Sequence, residues 1–252
     1  MKEMELAYGA VERELQREVL DLIAHYGVPQ SAGQAHDLAD VLYPLVTSRR
    51  REMWAREATL LRQAHPGIKV PGVSDYPLTA LRKLTMNTAG LMPYSKPVNV
   101  EMFDPKTQAL QRVSTAPYLM PDAEDVQVAM VNRLAAGSSR HIKQASRDLV
   151  QRTADHNNVR WARRLSGREN CGFCAMLASR GAVYTRQTVT STGDGRRYHD
   201  HCDCTAVLVP DPKNWDGKQE ADELYSMWIQ SGSLKTFTQK YREVGEFVGV
   251  SA

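Results

Sequence analysis

Cys171, Cys174, Cys202 and Cys204 are the four cysteines of the 252-residue chain, and they fall within 34 residues, with His199 and His201 among them. Cysteines scattered through a core would not cluster in this way. Cys171-Gly172-Phe173-Cys174 has the spacing of a zinc knuckle, in which a tight turn aims two thiolates at one ion and glycine eases the backbone around it. In the run from His199 to Cys204 an extended backbone would put Cys202 and Cys204 on the same side, and His199 can reach back across a turn to the same point. Six nitrogen and sulfur donors thus compete for four tetrahedral positions. Four soft protein ligands leave no open coordination position, so the expected ion is a structural Zn2+. Cys171, Cys174, His199 and Cys202 are the favoured set, with Cys204 as the substitute; the four thiols alone would also close the site. Two other readings stand beside it. A Cys171–Cys174 redox pair would need a βαβ context that the surrounding residues lack. Disulfides, which would need an oxidising compartment, or free thiols are the other.

The second chemical signal is charge. Residues 137–168 carry eight Lys or Arg against two Asp, a local +6 that exceeds the +3 of the whole chain. Arg140, Lys143, Arg147, Arg160, Arg163 and Arg164 are the candidates for phosphate contacts, which give sequence-independent, salt-sensitive affinity. A solvated helix face, or arginines meeting an acidic protein surface, is the competing reading. Arg49, Arg50 and Arg51 are read as a solvated helix turn. No serine sits in a nucleophile motif such as G-x-S-x-G, and no catalytic residue is assigned. His25, His36, His65, His141 and His156 are read as surface or helix-face residues. Trp161, Trp215 and Trp228 are expected to cover the metal module and dock it on neighbouring helices.

These residues must be positioned by elements, and the composition bounds what those can be. With 42% hydrophobic, 24% charged and 7% aromatic residues, the chain is neither a disordered tail nor a disulfide scaffold. It holds no run of about 18 apolar residues to span a bilayer. Its first residues lack a cationic and then apolar leader, so the expected compartment is the one where it is made, the cytoplasm. Leu15, Val19, Leu22, Ile23 and Tyr26 form one helical stripe, and a second helix is expected from about 35 to 64, broken or kinked at Pro44. Residues 1–65 are therefore read as a helical hairpin. Residues 66–121 hold eight of the twelve prolines and read as an extended arm or linker with one short helix near 78–86. Residues 122–158 read as a basic segment of two helices, interrupted at Gly137-Ser138-Ser139. Residues 159–212 read as the zinc-knuckle module, with β-prone runs at 183–189 and 205–209 around the turn Thr192-Gly193-Asp194-Gly195 and a short helix ended by Gly181. Residues 213–252 read as closing helices, with Ala221, Leu224, Tyr225 and Trp228 on one face and Leu234, Phe237, Tyr241 and Val244 on another.

The runs Cys171-Gly-Phe-Cys174-Ala-Met-Leu-Ala-Ser-Arg-Gly181-Ala-Val-Tyr184 and Tyr198-His199-Asp-His-Cys202-Asp-Cys204-Thr-Ala resemble the Mu F-like (MuF) minor capsid or head-morphogenesis proteins of tailed phages, the actinobacteriophage branch in particular. The family's motif, CxxC followed some tens of residues later by HxxCxC, is matched at Cys171, Cys174, His199, Cys202 and Cys204. Asp200 follows His199 where many members carry proline, as in the actinophage branch. The resemblance covers about residues 140–230. It implies a protein made in the host cytoplasm and carried inside the phage head near the portal vertex. There it would act in head assembly or DNA handling, with portal protein, major capsid protein and packaged double-stranded DNA as partners, and with no membrane and no small-molecule substrate. Some members are labelled capsid maturation proteases, which makes a protease the first alternative. A zinc-supported nuclease of the His-Asn-His type is the second. Such nucleases need further zinc-binding cysteines downstream, and none follows Cys204. The expected fold is mainly α: a helical N-terminal part, a proline-rich connector, a small zinc-stabilised α+β hairpin module and C-terminal helices.

Overall fold

The chain is described by a computed structural model covering residues 2–165, 170–185 and 204–247. It is mainly helical, as its periodicity requires. Helix α1 spans Lys2–Tyr26 and α2 spans Ala32–Ala64. Leu15, Val19 and Ile23 of the expected stripe are buried, whereas Tyr26 is exposed. Gly27 at φ +73° ends α1 in the left-handed region that glycine adopts without strain. Pro44 lies inside α2 without ending it; the helix forgoes one backbone bond there, and its flanking Leu42 and Val46 are buried.

The proline-rich stretch is more structured than an extended arm. It holds α3 (Leu78–Thr88) and the strands β1 (Val98–Asp104) and β2 (Ala109–Thr115), which pair antiparallel from Val98↔Thr115 to Asp104↔Ala109. The Asp104 carboxylate accepts from the Lys106 backbone N–H at 2.8 Å and closes the turn that Pro105 begins. The prolines stand around these elements, at 93, 97, 105 and 117, where no ladder bond is lost.

A single helix, α4 (Glu124–Asn157), replaces the two expected between 122 and 158. It runs through Gly137-Ser138-Ser139 because Gly137 serves packing there: a Cβ at this position would collide with the Leu84 side chain of α3. The glycine is a notch for a neighbouring helix, and both serines behind it are buried.

Beyond α4 come β3 (Arg160–Arg164), α5 (Gly172–Ser179), β4 (Thr205–Val209), α6 (Lys218–Ser231) and α7 (Leu234–Phe247). Strand β4 lies where β-prone residues were expected. Its partner, however, is β3, antiparallel from Arg160↔Val209 to Arg164↔Thr205. The turn expected at Thr192–Gly195 lies outside the described residues. Helix α5 ends before Gly181, which sits at φ +63°. Among the described residues no helix is long and apolar enough to cross a membrane.

The chain divides into two compact units, one of residues 1–8, 50–74 and 143–252, the other of residues 9–49 and 75–142. In the first, Ala58, Leu61, Leu149, Val150 and Ala154 pack with Trp161, Tyr184, Ala206 and Leu208. A second cluster joins Ala175 to Ala178 of α5 with Leu224 of α6 and Phe237 of α7. In the other unit, the Thr85 hydroxyl donates to the Ala35 carbonyl at 2.7 Å, and Arg133 donates to the carbonyls of Lys96 and Pro97, each at 2.6 Å.

Candidate metal centre

The first cysteine pair is built by the start of α5. Cys171 is its N-cap, extended at φ −80° and ψ 154°, and its sulfur accepts from the Cys174 backbone N–H at 3.3 Å. That bond satisfies one of the amide donors that every helix leaves open at its first turn. It also sets both sulfurs at the positive end of the helix dipole, which favours thiolate charge. Gly172 is needed for proximity: a Cβ there would strike the Thr238 side chain of α7. The glycine of the knuckle therefore seats α5 on α7, in place of the turn-easing role expected from the sequence.

Cys204 arrives from the other direction, one residue before β4. Its sulfur stands 3.9 Å from that of Cys174, both are buried, and Cys171 and Leu165 pack against the pair. No disulfide joins these three cysteines to one another. The Arg163 guanidinium lies 3.6 Å from the Cys204 sulfur, and Arg147 Nε donates to the Cys204 carbonyl at 3.1 Å. His199, His201 and Cys202 lie outside the described residues. Among the described residues, no group of three or more Cys, His, Asp or Glu side chains is arranged to hold a metal ion.

The basic candidates separate by burial. Lys143, Arg147 and Arg163 are buried, Arg140 and Arg164 are half-buried, and Arg160 is exposed. Lys143 and Arg147 lie over the Tyr8 ring at 5.3 and 5.9 Å from its centroid, and the Tyr8 hydroxyl bonds to that of Ser146. Burial pushes the Tyr8 phenol up to about 12, with Arg147 opposing the shift. Arg164 pairs with Asp216 at 2.7 Å. Local charge count did not distinguish these residues, because α4 is enclosed on most sides and draws polar side chains inward along with apolar ones. In the run 49–51, Arg49 pairs with Glu14 at 2.7 Å, Arg51 is exposed and Arg50 is buried.

The tryptophans do cover the module. Trp161 is buried and stacks on Tyr184 at 4.6 Å between centroids; the Tyr184 hydroxyl donates to the Leu177 carbonyl at 2.8 Å. Trp228 meets the Phe237 ring edge-on at 5.6 Å, and Trp215 packs near Ala162 and Val209.

These features define a helical protein with a small thiol-bearing α+β module. A family model described as VG15 protein matches residues 87–231, more than half of the chain, and the chain belongs to that family of phage proteins. It is 27% identical to a Gene 15 protein of Mycobacterium phage D29, over 41% of this chain and 49% of that protein. It is 28% identical to a Gene 15 protein of Mycobacterium phage L5, over 28% of this chain and 36% of that protein. The chain thus spans half or less of the length of these relatives. No solved structure matches.

Proposed function

We propose that this chain is a MuF-like minor capsid protein that acts in head morphogenesis beside the portal and carries a structural zinc ion in its C-terminal module. The observation that carries the reading is the 3.9 Å separation of the Cys174 and Cys204 sulfurs, with Cys171 packed against them. Two sulfurs each about 2.3 Å from one ion at the tetrahedral angle lie about 3.8 Å apart, so the pair is spaced as two ligands of one zinc. Membership of a phage protein family supports the setting. Cys174 and Cys204 would supply two thiolates, and the remaining positions would be filled from Cys171, His199, His201 and Cys202. Cys204 thereby moves from substitute to member of the set. The ion would supply a crosslink between the start of α5 and the start of β4. Arg163 and Arg147 offset the negative charge of a thiolate-rich site.

Contact with packaged DNA rests on Arg160, with Arg140 and Arg164 in support. Lys143, Arg147 and Arg163 serve the interior. The assembly reading is tested by building phage heads with a Cys204→Ser chain. The variant is expected to be missing from purified heads and from portal pull-downs. Normal incorporation of a variant that has lost its metal would overturn the structural role.

A further inference from the structure

Helices α1 and α4 leave between them an open groove of about 670 Å3 in the unit of residues 9–49 and 75–142. Its floor is apolar, with Ile23 and Val131 buried at the base and Leu20 and Val128 exposed at 54% and 53%. Arg13 and Arg17 stand on the α1 side, exposed, and among the described residues neither makes an ion pair. Arg13, Arg17, Leu20 and Ala24 follow one another at spacings of four, three and four, a single helical stripe with its cations at the N-terminal end.

The chain carries a second stripe of matching pattern and opposite charge. On α6, Ala221 and Leu224 face inward, while Asp222, Tyr225, Ser226 and Ile229 face out. Tyr225 and Ile229 are 52% and 62% exposed, and the carboxylates of Asp222 and Glu223 precede them. Asp222 to Ile229 and Arg13 to Leu20 are both seven-residue intervals, about 10.5 Å of helix rise. Parallel packing would therefore set Asp222 and Glu223 against Arg13 and Arg17, and at the same time Tyr225 and Ile229 against Leu20 and Val128.

We propose that α6 of one copy of this chain seats in the α1–α4 groove of a second copy. Charge complementarity and the shared spacing carry the inference, and it is independent of the metal reading. The two surfaces differ, so the contact is head-to-tail and a joined pair keeps one groove, on one copy, and one helix, on the other, free for further copies; such contacts build rings or filaments. Lys218 and Gln219 already hold Asp222 and Glu223 from within α6, which fixes the carboxylates on the outer face without hiding them.

Sedimentation of the full chain over a concentration series tests this, with circular dichroism to confirm that each variant is folded. The wild-type chain is expected to associate reversibly beyond a dimer. Arg13→Glu with Arg17→Glu, and separately Asp222→Arg with Glu223→Arg, should each weaken association about tenfold or more, because like charges then meet. Mixing the two folded variants should restore it, since each variant's groove is complementary to the other's helix. A wild-type chain that stays monomeric at every concentration, variants that associate like wild type, or a mixture that fails to associate would each overturn the proposal. So would a monomer whose groove binds the acidic helix of a different virion protein.

Discussion

Glu57 on α2 sits beside the buried polar residues that include Tyr8, and burial raises its carboxyl to about 7. The unfolded chain would release that proton near the ordinary value of 4.5. Between those two values the native state binds the extra proton, so stability falls as pH rises from about 4.5 to about 7 and is level above that window. Glu57→Gln should remove this slope and stabilise the protein at neutral pH by roughly 1–3 kcal/mol, measured by urea unfolding over a pH series. Arg147 has the opposite standing. It joins Tyr8 to the Cys204 carbonyl, and Arg147→Ala should cost about 2–4 kcal/mol through a lost charged hydrogen bond and lost packing. Arg160 is exposed and donates one long bond, 3.4 Å, to the Ala182 carbonyl, so Arg160→Ala should cost no more than about 1 kcal/mol. In duplex-binding titrations over a salt series, the same change should lower affinity equally for all sequences and reduce the salt slope by about one.

Among the elements, those with an amphipathic stripe were legible. Val126, Met130 and Leu134, and then Ile142, Ala145 and Leu149, mark the core face of α4. The continuity of α4 was not, because Gly-Ser-Ser reads as a break unless the helix that fills the Gly137 notch is known. Gly137→Ala should destabilise by about 1–3 kcal/mol through overpacking against Leu84, and combining it with Leu84→Val should recover part of the loss in a double-mutant cycle. The β1–β2 hairpin had a usable signal, alternating Val98, Val100 and Met102 before Asp104-Pro105, but the density of prolines outweighed it. The pairing of β3 with β4, from Arg160↔Val209 to Arg164↔Thr205, joins residues more than forty positions apart, and no local rule reaches that far.

Across the whole molecule, the meeting of the two cysteine segments was legible as a place: Cys204 of the later pair stands beside Cys174 of the CxxC. Which cysteine meets which was not, since alternation put Cys202 and Cys204 on one side and could not rank them. Of the two, Cys204 has its sulfur 3.9 Å from that of Cys174, and Cys202 lies outside the described residues. The surfaces available for assembly also escaped the sequence reading, because an exposed Leu20 or Ile229 differs from a core residue only once the fold is known. On the function proposed above, one zinc ion holds the start of α5 to the start of β4 through Cys174 and Cys204. Metal content per chain, measured on natively purified protein and on Cys204→Ser, tests it most directly. One zinc per chain, lost in the variant together with cooperative unfolding of the module, is the expected result. A metal-free wild-type chain with reactive thiols and unchanged stability in the variant would contradict it.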